Sequence, residues 1–196
     1  MAALYPNHIP ISAFSRLLLG TSSAITALRN PYRDDMVAVC SETTACKALE
    51  YMQDKMQNNS TGRRILDEKP RINTSTVDLK LLRALPESTF GRQYVNMLNR
   101  YKITPDSRKE VKFVDNPDLA YVMQRYRETH DFNHLLLGQR TDLRGEVNVK
   151  WFEAIQTTLP MCWLAAIGGT TRVKSKKTTT AFYRRLTKSD TNFYDV

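Results

Sequence analysis

The sequence predicts an all-α, single-domain protein, on three observations. Glycine is scarce, seven in 196 residues, which disfavours a loop-rich or fibrous chain. Apolar residues recur at steps of three and four rather than two. Ser, Asp or Asn heads many of these runs, and Pro, Asn or Gly follows them, as helix caps and stops require. A chain of this length buries a real core.

Met1 to Pro10 reads as an irregular lead in which His8 is a surface or loop histidine. Ser12 can cap a helix through Leu28, with Phe14, Leu17, Leu18, Ile25 and Leu28 as its inward stripe. Asn30-Pro31 ends it, because a residue before proline leaves the α region. A long helix follows from Asp34 to Gln57, with two aspartates at the positive end of its dipole and Met36, Val39, Cys40, Thr43, Cys46, Leu49 and Met56 on one face. Thr61 to Glu68 is a short helix stopped by Lys69-Pro70. Ser75 or Thr76 caps another through Leu85, before Pro86. Ser88 to Tyr101 carries Phe90, Tyr94, Met97 and Leu98 on one side, and Ile103 to Val114 is a connecting segment, partly extended.

Asn116 then caps the helix that matters most, with Pro117 at its first position. Its inward face reads Leu119, Met123, Tyr126, His130, His134 and Leu137. Two of the chain's three histidines thus occupy one buried stripe, four residues apart, where their imidazoles can converge. Asp131 sits at the edge of that face. Gly138 stops the helix, and Asp142 or Gly145 opens the next, running through Val147, Trp151, Ile155, Leu159 and Cys162 with a kink at Pro160. Glu146, in its first turn, can point back across the helical hairpin. Buried imidazoles need partners and a buried carboxylate needs a cation. His130, Asp131, His134 and Glu146 therefore suggest a divalent-metal site between two consecutive long helices, with a polar core cluster as the alternative. Other metal motifs fit less well. A zincin needs glutamate where Asp131 stands. A di-iron bundle needs Glu three residues before His, and Glu128 is two before His130. A His-Asp phosphohydrolase needs a further inward histidine, and only His8 is left.

Composition excludes several classes. No run approaches the roughly 20 apolar residues of a membrane span, although Leu159 to Ile167 suits a peripheral membrane or oligomer contact if it is not simply buried. From Thr170 onward there are seven bases and two acids, so over half of the net +9 charge lies in the tail. The body is only mildly basic, and no nucleic-acid partner is expected. Cys40, Cys46 and Cys162 match no zinc-ribbon spacing and read as reduced, buried small hydrophobes.

His130-Asp131-x-x-His134, eleven residues and then Glu146 resembles the signature of the coenzyme Q biosynthesis protein 4 family. The likeness extends through Tyr5-Pro6-Asn7-His8-Ile9-Pro10, Asn30-Pro31-Tyr32-Arg33, Asp35-Met36-Val37-Ala38-Val39, Phe113-Val114-Asp115, Gln124-Arg125-Tyr126-Arg127, Val149-Lys150-Trp151-Phe152-Glu153-Ala154 and Leu159-Pro160-Met161-Cys162. It covers roughly residues 5 to 167, the expected helical domain being 1–167 and the Thr/Lys-rich segment 168–196 an atypical basic tail. The resemblance implies a protein of ubiquinone biosynthesis, peripheral on the matrix side of the mitochondrial inner membrane. It implies a carboxy-lyase that removes the C1 carboxyl of a 4-hydroxy-3-methoxy-5-polyprenylbenzoate. Its partners would be that prenylated aromatic lipid, the other coenzyme Q biosynthesis proteins in a multi-protein complex, and a second copy in a homodimer. A non-catalytic lipid-binding scaffold with a structural metal is the alternative. The resemblance makes His130, Asp131, His134 and Glu146 the metal ligands and Zn2+ the metal; Asp131 would transfer the proton if it is not a ligand. Met1 stands four residues before Tyr5, where the family carries a targeting segment, and the tail lacks the family's closing helix. The chain is therefore expected to be divergent or truncated at both ends.

Overall fold

A computed structural model describes residues 3–30 and 33–173. Among them are nine α-helices and no strand: α1 (Ala13–Arg29), α2 (Asp34–Thr44), α3 (Cys46–Gln57), α4 (Ser60–Glu68), α5 (Leu79–Ala84), α6 (Phe90–Tyr101), α7 (Pro117–Leu136), α8 (Leu143–Thr157) and α9 (Pro160–Thr170). The all-α expectation holds. α1 and α2 form one hairpin and α8 and α9 another; α9 packs on α1 and α2, and α7 lies against α3, α6 and α8. The core gathers between these layers around Leu49, Met123, Val122, Leu159, Cys40 and Cys162, all essentially inaccessible.

The caps follow the sequence closely where they are local. Ser12 Oγ accepts from Ser15 N, Asn116 Oδ1 accepts from Asp118 N and Leu119 N, and Asp142 Oδ1 accepts from Gly145 N. Gly138, at φ 60°, ends the turn beyond α7.

Expectations about four helices and one thiol are corrected. The helix expected from Asp34 to Gln57 breaks at Ala45, which is fully buried with φ −88° and ψ −3°. Thr43 and Thr44 hydroxyls return to the carbonyls of Val39 and Cys40, at 2.8 and 2.7 Å, the back-bonding that bends helices. Ser75 and Thr76 cap nothing, because Asn73 Oδ1 draws both their backbone N–H groups into a tight turn; Asp78 caps α5 instead. At Pro160 the chain breaks rather than kinks: Thr158 turns left-handed at φ 59°, Leu159 is extended as a residue before proline must be, and Pro160 opens α9. The apolar stripe of α1 faces outward, with Phe14 71%, Leu17 67% and Leu18 54% exposed. The inward face is its small-residue side, Gly20 and Ser23, because a Cβ on Gly20 would already lie 3.3 Å from Thr43 Oγ1. Finally, Cys46 is exposed, while Cys40 and Cys162 are buried as expected.

The segment before α7 is held by side chains rather than a sheet. Glu42 Oε2 accepts from Lys112 N and Phe113 N, both at 2.7 Å, and Gln124 Oε1 accepts from Val111 N. Tyr5 OH donates to Val114 O, and Ile9 N to Lys112 O. His8 belongs to this clamp. It is buried, its Nδ1 accepting from Leu4 N and its Nε2 lying 3.0 Å from Asp115, because residues 4–9 fold across the segment instead of projecting from it. α9 continues across Gly168-Gly169 to Thr170, and the basic tail from residue 174 lies outside the described residues.

Candidate metal centre

His130 and His134 stand one turn apart on α7, and their rings meet edge to face with centroids 4.9 Å apart. The two Nε2 atoms are 3.3 Å from one another. Glu146, delivered by the first turn of α8, places Oε1 3.2 Å from His134 Nε2 and Oε2 3.4 Å from His130 Nε2. Its approach depends on Gly145: a Cβ there would sit 1.7 Å from the carbonyl oxygen of Arg140, so only glycine lets the loop close this tightly.

These separations suit a tetrahedral cation. Metal–nitrogen and metal–oxygen bonds of about 2.0–2.1 Å put neighbouring tetrahedral ligand atoms about 3.3–3.4 Å apart. Both imidazoles are buried, and His134 Nδ1 has no partner among the described residues, while its Nε2 faces His130 and Glu146. Two neutral imidazoles and a carboxylate are also a donor set that zinc favours. The residues fit the ion.

Asp131 is not brought to this point. Its carboxylate is buried and takes a hydrogen bond from Arg108 Nη2. The 100° step between adjacent helical residues turns it away from the imidazoles.

Behind the cluster lies a group the sequence reading missed. Glu153, fully buried on α8, receives His130 Nδ1 at 2.6 Å, Tyr126 OH at 2.7 Å, Lys150 Nζ at 2.7 Å and Asn133 Nδ2 at 3.0 Å. A carboxylate on the far nitrogen of a ligating histidine holds the ring's orientation and makes Nε2 the lone-pair atom. The signal was present in the sequence: Glu146, Lys150 and Glu153 stand at steps of four and three, a charged stripe on one side of a helix.

The charges sustain one another. Burial and the Lys150 ammonium push His130 down, but Glu153 and Glu146 outweigh them and its pKa lies above the ordinary value. Burial opposes ionisation of Glu146, yet hydrogen bonds from both histidines hold its carboxyl well below the usual range. Burial opposes Glu153 likewise and loses to the Lys150 and His130 charges. Lys150 is lowered by burial and raised by more through Glu153, so it is an ammonium. Burial pushes the Cys162 thiol up to about 11 and raises the Tyr126 phenol well above its ordinary value, leaving both neutral near pH 7.

Two cavities meet at Glu146 and Lys150. One, of about 200 Å³, has the charged or polar side chains of Arg108, Lys109, Arg127, His130 and Ser41 in its lining, beside Val37, Ala38 and Met161. The other, of about 330 Å³, is mostly apolar and runs between α1, α8 and α9 past Leu28, Val147, Leu164, Ala165 and Gly169.

The fold and the cluster define an all-α protein with a candidate His2Glu cation site where a charged cavity and an apolar one join. The chain belongs to the coenzyme Q (ubiquinone) biosynthesis protein Coq4 family, whose sequence model matches residues 5–189. It is 51% identical over 173 residues to the rat ubiquinone biosynthesis protein COQ4 homolog, mitochondrial, covering 88% of this chain and 65% of that protein. It is 55% identical over 170 residues to the zebrafish homolog, covering 87% and 63%, and 53% identical over 174 residues to that of Xenopus laevis, covering 89% and 62%. The chain thus spans less than two thirds of the length of these relatives. A crystal structure from Nostoc punctiforme shares the fold, with a TM-score of 0.61 at 20% identity over 86% of this chain and 80% of that one.

Proposed function

We propose that the protein acts in ubiquinone biosynthesis as a metal-dependent carboxy-lyase, removing the C1 carboxyl of a 4-hydroxy-3-methoxy-5-polyprenylbenzoate. The observation that carries this reading is the junction of the two cavities at the cluster. A charged chamber suits the carboxylated ring, and the apolar one suits a prenyl chain. His130, His134 and Glu146 would hold the ion, with Zn2+ favoured by the donor set. Once bound, the ion supplies a Lewis acid that an oxygen of the aromatic acid can approach.

The chain's own residues do the rest. Glu153 keeps His130 Nδ1 protonated and the ring fixed. Tyr126 and Lys150 donate to the other oxygen of Glu153 and hold that carboxylate in place. The para hydroxyl of the ring makes C1 electron-rich, so that C1 takes up a proton; the C1–carboxyl bond then breaks, its electron pair restoring the aromatic ring as carbon dioxide leaves. In this reading the proton comes from Lys150, which lines both cavities, rather than from Asp131, which lines neither.

The relatives are named mitochondrial, and among the described residues no helix is long and apolar enough to cross a membrane. The names support a mitochondrial place, and this reading puts the protein peripherally on the matrix side of the inner membrane, beside the other coenzyme Q proteins. The exposed apolar face of α1 favours a second reading, a lipid-binding scaffold of that complex whose metal is structural. Purified protein given 4-hydroxy-3-methoxy-5-geranylbenzoate distinguishes the two. Metal-dependent carbon dioxide release that disappears, together with bound metal, in His134→Ala supports the lyase. Binding of the lipid without turnover supports the scaffold, and retained activity in metal-free protein sinks the mechanism.

A further inference from the structure

The smaller of the two cavities carries four cations, and their pairings differ. Arg127 is held by four acceptors: Nη2 reaches Glu42 at 2.7 Å, Ser41 Oγ and Ala38 O, and Nη1 reaches Lys109 O. Lys150 is bound to Glu153 and Tyr126. Lys109 pairs with Asp34 at 3.2 Å on the exposed rim. Arg108 alone keeps an idle donor inside: Nη2 is on Asp131, while Nε is buried with no hydrogen-bond partner among the described residues. A buried, unpartnered guanidinium N–H is costly and calls for an acceptor.

The charge balance points to the nature of that acceptor. The four cations are matched by Asp131, Asp34, Glu42 and Glu153. Glu146 is the remaining acid of the cavity, so a divalent ion held by it and two neutral imidazoles leaves one positive charge unmatched. A monoanion would complete the set.

We propose that Arg108 is the anion-binding arm of the site, receiving the carboxylate of an aromatic acid, and that Asp131 is its positioning residue rather than a metal ligand. This rests on the proposed function for the identity of the acid. Asp131 neighbours His130 on α7, so its bond to Arg108 ties the segment before α7 to the helix that bears the histidines. The two acidic positions of the His-Asp-x-x-His motif and its distant Glu then have separate tasks: Glu146 holds the cation and Asp131 aims the arginine.

The test compares two probes on the zinc-loaded full chain: 4-hydroxy-3-methoxy-5-geranylbenzoate and its carboxyl-free counterpart, 2-methoxy-6-geranylphenol. The parent protein binds the acid more tightly than the phenol. Arg108→Gln weakens acid binding about 10- to 100-fold, the worth of a hydrogen bond to a charged group, and leaves phenol binding and zinc content unchanged. Arg108→Lys recovers part of the loss, having the charge without the fork. Asp131→Asn keeps its zinc and loses discrimination between the two probes. Unchanged acid affinity in Arg108→Gln overturns the proposal. So does loss of zinc in Asp131→Asn, which would make Asp131 a ligand, or stronger competition with the acid by inorganic phosphate than by benzoate. Should Asp131→Asn fail to fold, the graded order parent, Arg108→Lys, Arg108→Gln decides alone. Discrimination that persists without carbon dioxide release would sink the lyase reading and leave this one standing.

Discussion

Glu153→Gln separates what holds the candidate centre together from what holds the ion. Glutamine preserves the shape of the side chain but removes its charge and one of its two acceptor oxygens. Four donors converge on the glutamate, at 2.6 to 3.0 Å, and the amide can face only one pair of them correctly. The larger loss is electrostatic. The Lys150 side chain is 14% exposed and Glu153 is inaccessible, so the ammonium is left buried without its counter-ion. Breaking such a pair by removing one partner costs about 3–5 kcal/mol. For a chain of this size that corresponds to a fall in melting temperature of roughly 6–20 °C. The same change frees His130 Nδ1, and loss of such a partner lowers metal affinity by about 10- to 100-fold. Urea unfolding of the metal-free protein, followed by tryptophan fluorescence, reads the first effect, and zinc titration reads the second. Glu146→Gln is the control. That carboxylate is 40% exposed, so its loss costs the metal-free protein no more than about 1 kcal/mol while zinc binding collapses. If Glu153→Gln unfolds within about 1 kcal/mol of the parent and binds zinc equally well, the buried network is not what orients the histidine.

Two further expectations follow from single positions. Gly145→Ala forces its Cβ against the Arg140 carbonyl oxygen, so the loop must shift and carry Glu146 with it; a loss of about 1–3 kcal/mol in a thermal melt should accompany weaker zinc binding, and an unchanged affinity would refute the close approach. Of the three thiols, Cys46 alone is exposed, so a disulfide reagent should label one thiol per native chain quickly and all three only in denaturant; fast labelling of Cys162 would contradict its burial.

What the sequence by itself determined is what neighbouring residues settle among themselves. Asn116 and Asp142 cap their helices because a short side chain reaches a backbone N–H two or three residues ahead, wherever the helix later packs. His130 and His134 share a face because 3.6 residues make a turn. Glu146 could be assigned to the same point because Gly138 and Asp142 mark a short hairpin. Local rules stop there. Periodicity shows that Phe14, Leu17 and Leu18 lie together, not which side of α1 is covered, and the close fit of Gly20 against Thr43 turns that stripe outward. Asp131 belongs to the motif by spacing, but its partner Arg108 comes from another segment, placed by Glu42 and Arg127. Glu153 looked like one more helical glutamate. Only the packing of α7 against α8 removes it from water and makes it the acceptor on which four donors converge, because the cost of burying a charge depends on partners that the chain supplies from far along its length.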